Sequence, residues 1–250
     1  NLSMLDAKLS LYNKRILMKE TKVIGIIQAR MGSSRVPGKA MIELAGKPLL
    51  WHILDRIRRV EDVSDIVIAT TTKPENDILE EFANSENVFC SRHEVEDDLA
   101  GRVAQAIDGV PGDLILKAGG DCPLIDVEVL QKMVDTAVAH ANADFVSNRV
   151  RWSYPLGLSA DILSRRAIEW ADRNLTQPMD RELFALYIRD HPKQFKVVPV
   201  VNDEDLSHHT WTVDEIEDVA FIRSIFDQLY EEGEVFGMEE VLSLVTNAGP

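Results

Sequence analysis

Cysteine is scarce in this sequence. The 250 residues contain two, Cys90 and Cys122, with no C-x-x-C spacing, so neither a disulfide framework nor a zinc site is indicated and a reducing cytoplasm is expected. Long apolar runs are missing as well. None approaches the ~20 residues of a membrane span, and the N-terminus lacks the apolar core of a signal peptide. Positive charge is in deficit: 27 Lys and Arg against 42 Asp and Glu leave a net charge of −15, which argues against nucleic acid or an anionic membrane as the main partner. No internal repeat or low-complexity linker interrupts the chain. The G-x-S-x-G, H-E-x-x-H and G-x-G-x-x-G patterns are also missing, so a serine hydrolase, a zincin and a dinucleotide enzyme are unsupported.

What is present is the composition of a globular protein, 45% hydrophobic and 28% charged, able to bury a sizeable core. Apolar runs at 23–27, 65–70, 88–89, 114–118 and 144–147 predict strands. Helical periodicity predicts helices near 48–60, 75–83, 96–107 and 127–140 between them. This alternation predicts a three-layer α/β/α domain, its mostly parallel sheet covered on both faces. After Asn148 the rhythm loosens. Residues 149–163 read as an excursion or hairpin, followed by helices near 164–174 and 180–189, a late strand in "FKVVPVV", and helices over 214–232 and 238–245. Trp211-Thr212-Val213 reads as a further short strand. One domain over 22–250 is expected, with 149–200 as a lobe or arm. Residues 1–21 read as a native extension or added sequence. The stripe Leu2, Leu5, Leu9, Tyr12 and Ile16 predicts a short helix packed on the body or a neighbouring subunit.

Charge is unevenly placed. Residues 201–250 hold thirteen carboxylates and one basic side chain, Arg223, whereas Lys22 to Arg59 hold eight Lys or Arg against Glu43 and Asp55. The basic stretch contains "QARMGSSRVPGKAM", residues 28–41. It fails the P-loop pattern, because Gly32 and Gly38 are separated by five residues and Ala40 follows Lys39. Gly32, Ser33 and Ser34 nevertheless allow close backbone approach and offer donors, while Arg30, Arg35 and Lys39 suit a polyphosphate. The bland alternative is a polar surface loop. Asp121 in "GGDCPLID" follows an apolar strand, where a divalent cation would explain it and a helix cap or turn aspartate is the alternative; Asp126 is the expected cap of the next helix. Asp214 in "WTVDEIEDV" fits a metal ligand or a plain helix cap. His208 and His209 are adjacent and would face opposite ways in a strand. Ligands of such sheets bind beyond the carboxyl ends of the strands, so the loops after strands one, two and four should line one crevice. That adds Ala29, Thr70 and Thr71 to the candidate contacts.

The segments "IIQARMGSSRVPGKAMIELAGKPLLWHIL", "VIATTTKPEND", "GGDCPLID", "YPLGL", "DRELFALYI" and "WTVDEIEDVAFIRSIF" follow one another in an order that resembles the cytidylyltransferase family. The likeness, from about Lys22 to Gln228, is to its spore-coat polysaccharide biosynthesis branch, related to the CMP-KDO and CMP-sialic acid synthetases. The resemblance implies a sheet of the nucleotide-diphospho-sugar transferase type and transfer of CMP from CTP to a sugar hydroxyl with release of pyrophosphate. It implies triphosphate contacts at Arg30, Arg35 and Lys39, with Asp121 beside them, and Arg102 near the nucleotide. Asp121 and Asp214 would be the ligands of Mg²⁺ or Mn²⁺, and pairing of two chains through the 149–200 region is expected. The acceptor half departs from the branch pattern. Gly101 replaces an acidic residue, Arg181-Glu182-Leu183-Phe184-Ala185 replaces Arg-Glu-His-Val-Thr, Asp161 stands for a glutamate, and Lys117 to Asp121 replaces Arg-Ile-Thr-Gly-Asp. Two rival readings keep the fold. A nucleotide-sugar-dependent glycosyltransferase would need a second aspartate that Asp121-Cys122-Pro123 lacks, and a nucleotide-binding protein of a polysaccharide pathway would bind CTP without turnover.

Overall fold

The two faces of the first strand are both apolar, and that decides the layering. In β1 (Val23–Gln28), Val23 and Ile27 point to one side, Ile24 and Ile26 to the other, and all four are fully buried. A strand of this kind needs cover on both faces. The computed structural model describes residues 22–247; the helix expected over 1–17 lies outside them. A small hairpin, β2 (Glu43–Leu44) and β3 (Lys47–Pro48), stands apart from the main sheet. The main sheet joins β1 to β4 (Val63–Thr71), β5 (Phe89–His93), β6 (Leu114–Gly119), β7 (Phe145–Ser147), β8 (Ala160–Ser164) and β9 (Val197–Pro199). Their order is β5-β4-β1-β6-β8-β7-β9. Every neighbouring pair is parallel except those of β8, which runs antiparallel to both β6 and β7.

One face is covered by α1 (Leu49–Arg58), α2 (Asp77–Ser85), α4 (Val127–Ala139), α8 (Ile216–Leu229) and α9 (Met238–Asn247). The opposite face is covered by α3 (Leu99–Ile107), α5 (Arg165–Asn174) and α7 (Phe184–Asp190). The short α6 (Pro178–Glu182) lies against α3. Helix starts follow side-chain caps. Asp98, Asp126 and Ser164 accept from the backbone N–H groups of Gly101, Val129 and Ala167, so α3, α4 and α5 begin where those acceptors stand. The chain leaves β1 toward β4 and β5 on one side and returns to β6 on the other. The carboxyl ends of β1 and β6 are therefore the switch point where ligands bind in such sheets.

Two local expectations are corrected. Residues 211–213 form no strand; the pairing stops at an isolated parallel bridge between Leu156 and Thr210. Their amides are spent on loops instead: Trp211 N–H donates to the Leu156 carbonyl at 2.6 Å and Val213 N–H to the Asp121 carbonyl at 2.9 Å. Without a strand there, His208 and His209 do not diverge, and their rings lie 4.1 Å apart. The excursion expected at 149–163 contains β8, which enters the sheet between β6 and β7. No helix among the described residues is long and apolar enough to cross a membrane. Both cysteines are free, Cys122 buried and Cys90 partly so.

Candidate active site

A cavity of about 350 Å³ opens at the switch point. Of the residues singled out above, Ala29, Arg30, Ser33, Ser34, Arg35, Lys39, Arg102, Asp121 and Asp214 line it. The opening loop wraps because Ser33 and Gly38 both donate from the backbone to the Met31 carbonyl, each at 2.9 Å. Gly120 brings the loops together. Its N–H donates to the Gln28 carbonyl at 2.8 Å, and a Cβ there would sit 2.7 Å from that same oxygen.

The remaining three candidates lie elsewhere. Thr70 and Thr71 are fully buried at the end of β4 and do not reach the cavity. Thr71 acts one step back: its hydroxyl accepts from Asn76 Nδ2 at 2.7 Å, and Asn76 Oδ1 accepts from the Met31 N–H at 2.8 Å, which ties the loop to β4. Gly32 does not line the cavity, and a Cβ there would meet Glu75 Oε1 at 2.5 Å. Asp214 is not a cap. Glu215 caps α8 in a capping box with Asp218, and this leaves the Asp214 carboxylate facing the cavity.

Lys39 is the centre of the charge pattern. Its Nζ donates to Asp121 Oδ2 at 3.1 Å, to Asp214 Oδ1 at 3.2 Å and to the Val213 carbonyl at 2.8 Å. Arg35 reaches Glu215 Oε1 at 2.6 Å and Asp214 Oδ1 at 3.4 Å. Arg30 donates to Glu96 Oε1 at 3.0 Å, and Glu96 also pairs with Lys73. Arg102 is buried under the cavity and donates to the Glu96 carbonyl; burial, helped by the Arg30 charge, lowers its pKa. The Cys122 thiol is pushed up, first by burial and then by the Asp121 carboxylate, so it is inert as a nucleophile.

Among the described residues no three His, Cys, Asp or Glu side chains gather as a metal cluster. What the protein offers is the pair Asp121 and Asp214, two hard oxygen donors held near one ammonium. One or two carboxylates completed by substrate phosphates is how Mg²⁺ is commonly held, so the donor set fits a divalent cation that arrives with a nucleotide.

Glu96, Asp97, Leu99, Glu182, Gln28, Gly119 and Gly120 also line the cavity. Gly119 and Gly120 had a signal in the "GGD" step and Glu182 in the Arg181-Glu182 step of "DRELFALYI", but Glu96 was not singled out, being one acidic residue in an acidic chain. A second cavity of about 240 Å³ shares Gly119, Asp121 and Asp214 with the first and is lined besides by Lys117, Arg149, Trp152, Ser159 and Asp161. Asp161 is 1% exposed. Lys117 Nζ reaches its Oδ2 at 3.4 Å, Arg149 grips both oxygens, and the Ser147 hydroxyl donates to Oδ1 at 2.8 Å. Gly101 has a packing role: a Cβ there would sit 2.5 Å from Asp98 Oδ2, the oxygen that Arg181 holds at 2.7 Å.

A doubly wound sheet with a cationic loop and two aspartates at its switch point is the layout of a nucleotidyltransferase. Over residues 24–240 the sequence matches the cytidylyltransferase family. It is 34% identical over 199 residues to an uncharacterised protein of Methanocaldococcus jannaschii, covering 79% of this chain and 80% of that protein. It is 28% identical over 235 residues to the spore coat polysaccharide biosynthesis protein SpsF of Bacillus subtilis, covering 90% and 95%. The structure of a cytidylyltransferase from Leptospira borgpetersenii superimposes with a TM-score of 0.85 at 28% identity, covering 91% of this chain and 95% of that one. The chain belongs to the cytidylyltransferase family, and it is a CTP-dependent nucleotidyltransferase.

Proposed function

We propose that this enzyme moves CMP from CTP to a hydroxyl of an acidic sugar, with release of pyrophosphate, in the synthesis of a surface polysaccharide or glycan. The observation that carries the reading is the pair of cavities meeting at Asp121 and Asp214. The first has the loop and the cations for a triphosphate. The second has the walls for an acceptor: Lys117 and Arg149, paired with Asp161, bring two cations to it, while Asp121 and Asp214 close the side it shares with the first. The exposed ring of Trp152 gives that cavity an apolar wall suited to the face of a sugar ring.

In this reading Ser33, Ser34 and the loop amides receive the triphosphate. Arg30, Arg35 and Lys39 hold the β- and γ-phosphates and offset the charge that builds on pyrophosphate as it leaves. Arg102 forms the floor beneath Arg30. Asp121 and Asp214 would hold Mg²⁺ or Mn²⁺, which supplies Lewis-acid polarisation of phosphoryl oxygens when bound. Lys117 and Arg149 orient the acceptor, and rate comes mainly from positioning and preorganised charge. Location in the cytoplasm and pairing of two chains through residues 149–200 belong to the same proposal.

Calorimetric titration of CTP, UTP, ATP and GTP with Mg²⁺ into the wild type and Asp121→Ala tests it. The expected result is metal-dependent binding that favours CTP and is lost in the variant. Absence of triphosphate binding would sink the reading. CTP binding without pyrophosphate release on any carboxylated sugar would leave the nucleotide half and remove the acidic acceptor.

A further inference from the structure

Every cation assigned to the triphosphate is already held by carboxylates. Arg30 is on Glu96, Arg35 on Glu215 and Asp214, and Lys39 between Asp121 and Asp214. Lys39 is the most enclosed of the three, its side chain 15% exposed against 45% and 58% for Arg30 and Arg35. Its ammonium bonds one oxygen of each aspartate that is to hold the divalent cation, and the Val213 carbonyl fixes it there.

We infer that Lys39 is a stand-in cation that makes divalent metal binding and nucleotide binding depend on each other. The inference rests on the roles proposed above for Lys39, Asp121 and Asp214. In the free enzyme the ammonium keeps two like charges together that would otherwise repel. A divalent cation arriving alone meets that ammonium at contact range and gains little from carboxylates already paired. A triphosphate arriving alone must draw Lys39 and Arg35 off the aspartates, which leaves uncompensated carboxylates facing the phosphates. When both arrive, the partners exchange: phosphate oxygens take Lys39, Arg30 and Arg35, and the aspartates take the metal. Each ligand thus removes what obstructs the other. That is a positive coupling between the two, and linkage makes it reciprocal.

The test is Mn²⁺ binding to the nucleotide-free protein, read from the paramagnetic resonance signal of free Mn²⁺. Wild type, Lys39→Met, Lys39→Gln and Lys39→Arg are compared after circular dichroism shows each folded. The neutral variants release the carboxylates and should bind Mn²⁺ at least about tenfold more tightly than wild type, within the usual range of coupling between sites. Lys39→Arg keeps the charge and should stay near wild type. Adding Asp121→Asn to Lys39→Met should remove the gained binding. The proposal is overturned if the neutral variants bind Mn²⁺ no more tightly than wild type, or if the gain survives Asp121→Asn. Pyrophosphate release by the wild type is a separate readout. Unchanged Mn²⁺ binding alongside CTP turnover defeats only the exchange, whereas lack of turnover with the gain intact defeats only the proposed reaction.

Discussion

Asp161 is the least exposed charged side chain among the described residues, at 1%, and it holds Lys117 and Arg149 together on the wall of the second cavity. Burial pushes its carboxyl up, but the Arg149 and Lys117 charges outweigh this and hold it below the usual aspartate range. Replacing Asp161 with Asn leaves two cations facing each other without a counter-charge. Breaking a buried pair by removing one partner costs on the order of 3 kcal/mol, so Asp161→Asn should lose about that much stability at neutral pH. The direction of the pKa shift fixes the pH window. A folded-state pKa below the unfolded ~4 gives a contribution fully present above about pH 4 and lost as pH falls through the folded value. Thermal melting of wild type and variant should therefore differ by a constant amount from pH 7 to about pH 4, and the two should converge below it. A gap that closes between pH 7 and pH 5 would refute the assignment.

The segment 209–214 has no ladder of its own, and its position depends on the loop at 155–158. Leu156 N–H donates to the His209 carbonyl at 2.9 Å, and Trp211 N–H returns the bond to Leu156. Between them Gly157 adopts φ +113°, and a Cβ there would lie 2.6 Å from the carbonyl carbon and oxygen of Trp211. Those are backbone atoms, so no side-chain rotation relieves the clash. Gly157→Ala should push the 211–213 backbone outward and carry Asp214 away from Asp121. Small misplacements at a reacting centre cost up to ~100-fold. The expected outcome is a kcat lowered by about ten- to one-hundredfold, with a smaller change in the KM for CTP. Unchanged kcat would show that Asp214 is positioned otherwise.

The same region marks where sequence reading fails and why. β1, buried on both faces, was legible as a continuous apolar run and β6 as an apolar run interrupted at Lys117, and Asp126 was legible as a cap because a helix pattern starts after it. β8 was hidden because Asp161 and Ser164 break its apolar run, and the Asp161 charge is satisfied only by partners at Lys117 and Arg149 that no local pattern links to it. "TWTV" alternates like a strand, yet its neighbours are loops that meet it for one bridge. In the site, the cationic loop and both aspartates were visible as motifs. Thr71 does not line the cavity, and its hydroxyl reaches the loop only through Asn76. Glu96 and Glu215 were invisible because the pairing that gives them meaning spans 66 and 180 residues.

In the proposed reaction the two aspartates of "GGDCPLID" divide the chain's work between chemistry and closure. Asp126 accepts from Val129 N–H at 2.8 Å through Oδ1 and from Met238 N–H at 2.6 Å through Oδ2. One carboxylate thereby serves the N-termini of both α4 and α9 and fastens the C-terminal segment to the sheet. Arg56 completes the fastening. It is 3% exposed, donates to the Phe236 carbonyl at 2.8 Å and lies 4.6 Å from the centre of the Phe236 ring. Burial lowers its pKa to about 10, against the pull of Asp126, so it stays charged at neutral pH and relies on that carboxylate. Asp126→Ala removes two helix-terminal acceptors, each contributing ~1 kcal/mol, and weakens the charge balance at Arg56. Its stability in urea should fall by about 2 kcal/mol, with CTP affinity near wild type, because Asp126 does not line the cavity proposed for the nucleotide. Asp121→Ala should show the reverse. Its carboxylate is one-third exposed and Lys39 keeps Asp214 and the Val213 carbonyl, so stability changes little while metal-dependent CTP binding disappears. Parallel loss of stability and binding in both variants would mean that the C-terminal closure and the nucleotide site form a single cooperative unit, and the division drawn between these aspartates would be wrong.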